Sequence, residues 1–249
     1  MSLGKPVVGS CSGVGLISSE LAKQKILSDK PPSRFVVDKD IVYQHIAYQD
    51  NALLIVEKPA GLLSVPGKGS QGQHCLINQL LVDFPSARVI HRLDMATSGL
   101  MVFAKTAEAQ KNISMQFAER KVAKAYIAIV DGQLESCGKV LLPLMTDWPN
   151  RPKQKVCYHH GRAALTQFES LAYKAKDHTS RVLLKPQTGR SHQLRVHMMA
   201  IGHPIVGDEF YASKTALEKS PRLLLHASYL ELQHPQTNKS LVFESSPAF

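Results

Sequence analysis

The feature that most constrains the fold is a series of short apolar runs of β type that fills the chain from Ile41 onward. Each run ends at Gly, Pro, Asn or Asp, the residues that stop strands and form turns. Examples are LLIVEKP at 53–59 and KAYIAIVDG at 124–132. Two further runs, at 164–173 and 180–186, are separated by a short polar segment at 175–179, which predicts a pair of strands joined by a turn.

Only a few segments have the apolar spacing of a helix. These are residues 74–84, 106–120 and 190–202, and the second begins with Thr106 and Glu108, which suit a first helical turn. Many strands with few, separated helices favour an α+β fold over an alternating parallel one. We therefore expect a largely antiparallel, mixed β-sheet with flanking helices.

The chain divides unevenly. Residues 1–40 mix Gly, Ser, Lys and Pro around one short helical piece at 16–27, which predicts a loosely ordered N-terminal extension. Residues 41–249 predict one catalytic domain. The four cysteines are widely spaced, and no apolar run approaches the length of a membrane helix, so we expect a cytoplasmic protein without a membrane partner.

The charge of the chain favours a polyanionic partner. Lys and Arg number 30 against 20 Asp and Glu, which gives a formal net charge of +10. Neutralisation of phosphates by such cations drives binding to nucleic acids. A basic surface that serves only solubility is the alternative.

Several common site motifs fail on spacing. Five residues separate Gly61 from Gly67, one more than a phosphate-binding loop allows. His192 and His197 would lie about 140° apart on a helix, which does not suit a shared zinc ion. Ser98 lacks the frame of a nucleophile elbow, and no dinucleotide fingerprint is present. We therefore expect no metal and no cofactor, with the chemistry done by side chains.

Four segments combine turns with charged or aromatic residues, at 57–67, 91–99, 124–130 and 185–208. The second reads HRLDMATSG and the fourth contains TGRSHQLRVH. In this order they closely resemble the RluA family of pseudouridine synthases, from about Ala47 to the C-terminus. The segment DWPNRPKQKVCY at 147–158 resembles a subgroup that modifies both a large-subunit (23S) rRNA hairpin and the anticodon stem-loop of certain tRNAs.

The resemblance implies roles for individual residues. Asp94 is the expected catalytic aspartate, attacking either C1′ of the ribose or the uracil ring. Arg190 is the expected arginine that pairs with Asp94. Tyr126 is expected to stack on the uracil or to accept a proton. Arg92 is expected to fill the stack that the flipped uridine leaves.

Further residues are expected to contact RNA, either as cations or beside the base. The cations of 151–155 are expected to act as a group, although a charged run is often only a solvated surface. The expected RNA contacts, besides Arg92, are His91, Lys58, Arg151, Lys153, Lys155, Arg195 and Leu194.

The whole chain is expected to act as a monomeric isomerase of uridine in 23S rRNA and tRNA. The segment before the match lacks the pattern of the S4 RNA-binding domain that many relatives carry, so RNA selection would rest on the catalytic domain. The alternative is a catalytically idle RNA-binding module, such as a ribosome-assembly factor. A carboxylate-dependent hydrolase is disfavoured because these motifs contain no suitably spaced second acid.

Overall fold

The computed structural model describes residues 45–68, 70–134 and 136–249. The predicted extension at 1–40, with its helical piece at 16–27, lies outside the described residues. Within them the chain forms a large mixed sheet, a small two-stranded ribbon and four α-helices. The strands are β1 (Ile46–Gln49), β2 (Leu53–Lys58), β3 (Arg88–Val89), β4 (Ser98–Ala104), β5 (Ala123–Asp131), β6 (Cys137–Leu141), β7 (Leu144–Thr146), β8 (Gln154–Val156), β9 (Leu165–Lys174), β10 (Thr179–Pro186), β11 (Leu225–Gln233) and β12 (Ser240–Glu244).

The helices are short and lie between strands. Single 3₁₀ turns span Ser70–Gln73, Trp148–Asn150 and Ala175–Asp177. The α-helices are α1 (Leu76–Asp83), α2 (Ala107–Ala118), α3 (Gln193–Ala200) and α4 (Lys214–Glu218). No helix in the described part of the chain is long and apolar enough to cross a membrane.

The large sheet has the strand order β1-β2-β4-β11-β5-β10-β9-β6, with β3 beside β4 and β12 beside β11. Among the described strands every pair is antiparallel except β4 with β11. The α+β prediction with a largely antiparallel sheet is confirmed. The strand β4 lies near the middle of this sheet, and all seven of its residues are buried.

The parallel contact between β4 and β11 depends on Gly99. This residue has φ +113, and a Cβ there would collide with the backbone of Ala227. Only glycine tolerates both the backbone angle and the approach. The strand that carries Asp94 at its N-terminal side is thereby held against the centre of the sheet.

Three of the helices were predicted, and their ends follow ordinary rules. The Thr106 hydroxyl accepts a hydrogen bond from the Ala109 N–H at 3.1 Å, which caps α2 as its sequence indicated. Helix α1 ends before Pro85, and Gly202 follows α3 with φ +88. The paired strands β9 and β10, with their turn at 175–178, are confirmed.

The helix α3 is buried on nearly all sides. Residues 193–198 are all buried, although they include Gln193, Arg195 and His197. The ring of His197 meets the Thr166 hydroxyl at 2.9 Å and the Leu142 carbonyl at 3.0 Å. Because buried polar groups must be paired, this helix has fixed internal partners. Its Arg195 side chain reaches the turn that bears Asp94.

Candidate active site

Asp94 sits on a tight turn whose two sides are fastened to the loop after β2. Its own carbonyl accepts a hydrogen bond from the Thr97 N–H at 3.1 Å. On the N-terminal side, the Ser64 hydroxyl donates to the Leu93 carbonyl at 2.7 Å and accepts from the Leu93 N–H at 3.1 Å. The Ser64 side chain thus fixes the backbone of the turn at Leu93, which defines the position of the Asp94 carboxylate.

On the other side of Asp94, Lys58 holds the backbone of Met95. The Lys58 ammonium donates to the carbonyls of Met95 at 3.0 Å, of Leu62 at 2.8 Å and of Pro59 at 2.8 Å. Lys58 is only 1% exposed, and burial lowers its pKa to about 7, although the charge of Asp94 favours the protonated form. The expected contact of Lys58 with RNA is wrong, because its ammonium lies inside the protein and is shared by three carbonyls.

The ionic partner of Asp94 is Arg195. One guanidinium nitrogen lies 3.3 Å from the Asp94 carboxylate, which is 29% exposed, while Arg195 itself is only 4% exposed. Arg195 also lines the pocket that contains Asp94, so its expected contact with RNA stays a prediction. Its position on the buried helix α3 directs the guanidinium at the catalytic turn, where it fixes the orientation of the carboxylate.

Asp208 is the second carboxylate that binds Arg195. Its two carboxylate oxygens accept hydrogen bonds from Arg195, each at 2.7 Å, and its side chain is fully buried. One oxygen also accepts from the backbone N–H groups of Phe210 and Tyr211. Burial by itself lowers the pKa of Arg195. The hydrogen bonds and the charge of Asp208, together with those of Asp94, outweigh this effect and raise the pKa of the guanidinium. The arginine is thus clamped as a cation between two carboxylates.

The aromatic rings of Phe210 and Tyr211, which follow Asp208 in the chain, also contact Arg195. The Arg195 guanidinium lies 5.1 Å from the ring centroid of Phe210 and 5.2 Å from that of Tyr211. His192 stacks on Phe210 at 5.8 Å and bonds the Tyr211 hydroxyl at 2.6 Å. The two rings and the two hydrogen bonds from Asp208 thus orient the Arg195 guanidinium.

His192 is a second group that faces Asp94. Its Nε2 lies 3.9 Å from the Asp94 carboxylate, and its backbone is left-handed with φ +52. Burial lowers the pKa of His192, against the attraction of Asp94. A left-handed backbone in a residue other than glycine is disfavoured and is found at functional sites. The sequence analysis missed this residue as a site residue, because His192 precedes α3 and its left-handed backbone, which a helical pattern does not indicate, sets its direction.

The expected pairing of Arg190 with Asp94 is wrong. Its guanidinium instead donates to the Ala163 carbonyl at 3.2 Å, and Arg195 takes the place beside Asp94. Arg190 lies before the first turn of α3, so its side chain leaves the chain in a different direction from that of Arg195. Arg190 still contributes to the wall of the pocket that contains Asp94.

Asp94 opens into a pocket of about 340 Å³. Tyr126 on β5 lines it, and burial and the charge of Asp94 both raise the pKa of this phenol above its ordinary value of 10.0. Leu194 also lines it from α3 while remaining buried in the core. Arg92 is exposed on the same pocket, next to the catalytic turn. The structure therefore brings Asp94, Tyr126, Arg92 and Leu194 together.

His91 lines the pocket but has an internal role. Its Nε2 accepts the Val102 N–H at 3.0 Å, and its ring stacks on Phe117 at 4.8 Å. Burial lowers the pKa of His91 to about 3, so the ring is neutral. The ring supports β4, and because His91 also lines the pocket, its expected contact with RNA stays a prediction.

The basic segment at 151–155 covers the end of the connection between β7 and β8 and the first two residues of β8. Arg151 is exposed and lies 4.7 Å from the ring centroid of Trp148, which is 62% exposed. Lys155 is exposed and paired with Asp147 at 3.0 Å. Lys153 is half-buried in the same connection. The three cations lie on one small ribbon, apart from the buried cations around Asp94.

Comparisons with known proteins identify the family of the protein that contains this pocket. Residues 52–200 match the model of the RNA pseudouridylate synthase family. The chain belongs to that family.

Members of the RNA pseudouridylate synthase family isomerise uridine to pseudouridine. The chain is 51% identical to the dual-specificity RNA pseudouridine synthase RluA of Escherichia coli K12 over 205 residues, covering 82% of this chain and 93% of the relative. It is 47% identical to RluA of Yersinia pestis, covering 82% and 99%. The solved structure of human RNA pseudouridylate synthase domain containing 1 matches with a TM-score of 0.74 and 29% identity over 87% of each chain. Human domain containing 4 matches with a TM-score of 0.65 and 26% identity, covering 84% of this chain and 91% of the other.

Proposed function

We propose that this pseudouridine synthase modifies a uridine in a 23S rRNA hairpin and a uridine in the anticodon stem-loop of certain tRNAs, with Asp94 as nucleophile. The observation that carries the proposal is the fixed position of Asp94 in a pocket beside Arg195 and Tyr126. The dual specificity named for the RluA relatives supports the two classes of RNA.

The reaction needs a carboxylate that is held in place before the uridine arrives. The turn around Asp94 is fastened through Leu93 and Met95, and its carboxylate is oriented by Arg195. Such positioning lowers the barrier because the enzyme does not have to reorganise during the reaction. The carboxylate can then form a covalent bond either to C1′ or to the uracil ring.

The environment of Tyr126 supports a stacking role in the resting enzyme. Its raised pKa keeps the phenol protonated at neutral pH, so it is a poor proton acceptor at this stage. When Asp94 forms a covalent bond, it loses the negative charge that helps to raise this pKa. The pKa of Tyr126 then falls towards its ordinary value, so the phenol ionises more easily, and it can take up a proton from the uracil only after its own proton has left.

The uridine must leave the RNA stack to reach Asp94. Unstacking typically costs a few kcal/mol, and a planar cation that enters the vacated space offsets part of it. Arg92 is exposed at the pocket, two residues before Asp94, and we assign this role to it. The cations of the β7–β8 connection would contact the RNA backbone.

We further propose that residues 41–249 act as one catalytic domain, as a monomer in the cytoplasm. An idle RNA-binding module remains the alternative function for comparison. A pocket that combines an oriented carboxylate with a protonated phenol is not required for binding alone, which favours the enzyme.

The test is to incubate transcripts of the rRNA hairpin and of the tRNA anticodon stem-loop separately with the protein and to map pseudouridine in each. We expect one modified position in each RNA. Modification of only one class of RNA would refute dual specificity. Absence of product from both, with binding retained, would favour the idle module.

A further inference from the structure

A second groove lies beside the active-site pocket, between the end of α2 and the segment that follows β10. Its volume is about 410 Å³, which is in the range of sites that hold a molecule larger than a single ion. We call it the α2–β10 groove. The residues on which its chemistry depends are Arg120, Lys121, Lys124, Lys185 and Arg190.

The charged side chains that line the groove are all basic. Five of its lining residues are Lys or Arg, and none is Asp or Glu. Lys121 pairs with Glu119 at 2.7 Å. Within the described part of the chain, the other four cations have no carboxylate within 4.0 Å.

Two of these cations, Arg120 and Arg190, also repel each other. Burial lowers the pKa of Arg190, and the charges of Arg162 and Arg120 lower it further. Burial lowers the pKa of Lys124 as well. A cluster of like charges in which only Lys121 has an internal counter-charge is unfavourable by itself and is relieved by a bound polyanion.

The groove is continuous with the active-site pocket. The two share a wall that includes Lys124, Thr188, Gly189 and Arg190. A strand of RNA whose flipped uridine enters the pocket at Asp94 therefore has its neighbouring backbone next to this groove. The β7–β8 connection carries a separate set of cations.

The backbone of Arg120 gives an independent indication. Helix α2 ends with the Arg120 N–H donating to the Phe117 carbonyl at 3.2 Å and the Lys121 N–H donating to the Gln116 carbonyl at 2.8 Å. In this termination the residue at the position of Arg120 is left-handed, and glycine is favoured there. Arg120 occupies it with φ +60. The chain thus carries a long cation where glycine would be conformationally easier.

We infer that the α2–β10 groove binds the sugar–phosphate backbone of the substrate RNA next to the flipped uridine, with Arg120 as a phosphate contact. This inference rests on the proposed function, because the RNA is the substrate assigned there. It adds a site that the sequence analysis did not contain. The groove would hold the strand while the uridine is in the pocket.

The test uses four variants of the full chain and a labelled transcript of the tRNA anticodon stem-loop. Arg120→Gly removes the cation and the disfavoured backbone angle together, so its thermal midpoint should be equal to or above that of the wild type. Arg120→Gln removes only the charge, and Arg120→Lys keeps it. Lys214→Gln is the control, since Lys214 is a highly exposed cation on α4.

The measurement is the Kd of each variant over a series of salt concentrations. For Arg120→Gly and Arg120→Gln we expect a severalfold higher Kd and a slope of log Kd against log salt that is smaller by about one. Arg120→Lys and Lys214→Gln should stay near the wild type. Wild-type Kd and slope in both charge-removing variants would overturn the inference, as would an equal loss in Lys214→Gln.

The proposed function is tested separately from the role of the groove. Pseudouridine is mapped in the same transcript after incubation with the wild-type protein. If the wild type binds the RNA but makes no product, the assignment of the reaction fails while the Kd series still decides whether the groove binds the backbone. If the wild type makes product and Arg120 does not affect binding, only the inference about the groove fails.

Discussion

At the scale of single residues, two buried cations act on Asp94 in different ways. Arg195 contacts its carboxylate directly, at 3.3 Å. Lys58 contacts the carbonyl of the next residue, Met95, at 3.0 Å and so fixes the turn rather than the reacting group. One cation therefore orients the charge, and the other orients the backbone that carries it.

Asp208 should be required for the position of Arg195. In Asp208→Asn, one of two hydrogen bonds to the guanidinium is lost and a buried cation keeps only Asp94 as a carboxylate partner. Removal of one member of a buried ion pair typically destabilises a protein by about 3–5 kcal/mol. We expect a loss in this range in urea unfolding, together with a lower kcat.

The control for Asp208 is the surface pair of Lys214 and Glu218, where Glu218→Gln should change the free energy of unfolding by less than about 1 kcal/mol. An Asp208→Asn protein with wild-type kcat would contradict the positioning role. Wild-type stability would contradict the importance of the buried pair.

Lys58 should make the stability depend on pH in the alkaline range. Its pKa is about 7 in the folded protein, against an ordinary value of 10.5. Between these values the unfolded chain binds more protons than the folded one, so the free energy of unfolding contributed by Lys58 rises with pH. Below about pH 7 both states are protonated, and this dependence disappears.

The measurement is urea unfolding of the wild type and of Lys58→Met between pH 6 and pH 10. The variant loses three hydrogen bonds and is less stable throughout, so the comparison concerns the slope with pH. We expect the wild type to gain stability relative to Lys58→Met above about pH 7. Parallel curves would show that Lys58 titrates normally in the folded protein.

At the scale of secondary structure, the junction of β4 and β11 positions the catalytic turn. Gly99→Ala would place a methyl group against the backbone of Ala227, which cannot move without disturbing the centre of the sheet. Gly61→Ala is a matched control, because Gly61 also has a positive φ, +85, but a Cβ there meets nothing within 4 Å. Gly61→Ala should be less stable by about 1–2 kcal/mol from its backbone angle alone.

Gly99→Ala should exceed that loss by at least about 1–3 kcal/mol, the usual penalty of overpacking. Thermal and urea unfolding of the two variants provide the comparison. Equal losses would mean that the close approach of β4 to β11 is not important for stability.

The sequence predicted most elements because their apolar periods are clear, as in α2 and in the pair β9–β10. It did not predict β1, β6, β7, β8 or α4. β7 and β8 have three residues each and α4 has five, too few for a period to be recognised. Of residues 88–93, only Arg88–Val89 forms a strand, because the chain then turns towards Asp94.

At the scale of the whole molecule, the sequence located the site better than it assigned charges within it. Asp94, Tyr126 and Arg92 were predicted from motifs and do line one pocket. Arg195 makes the ion pair with Asp94 that was expected of Arg190, since a motif gives the order of residues but not the direction of their side chains. Asp208 was missed because a Gly-Asp pair also suits an ordinary turn.

The basic surface should make binding of RNA strongly dependent on salt. Replacement of Arg151, Lys153 and Lys155 by Gln should weaken binding to the rRNA hairpin and the tRNA stem-loop alike, and reduce the salt slope by about two to three. Lys214→Gln is again the control. A triple variant with an unchanged slope would exclude the β7–β8 connection from the interface with RNA.

The central claim is that Asp94 performs the reaction, and conversion of uridine by Asp94→Asn tests it most directly. The variant keeps the size of the side chain, and the clamp of Arg195 by Asp208 remains. We predict that it binds the tRNA anticodon stem-loop as the wild type does but forms pseudouridine at least about a thousandfold more slowly. Pseudouridine formation at the wild-type rate would contradict the account.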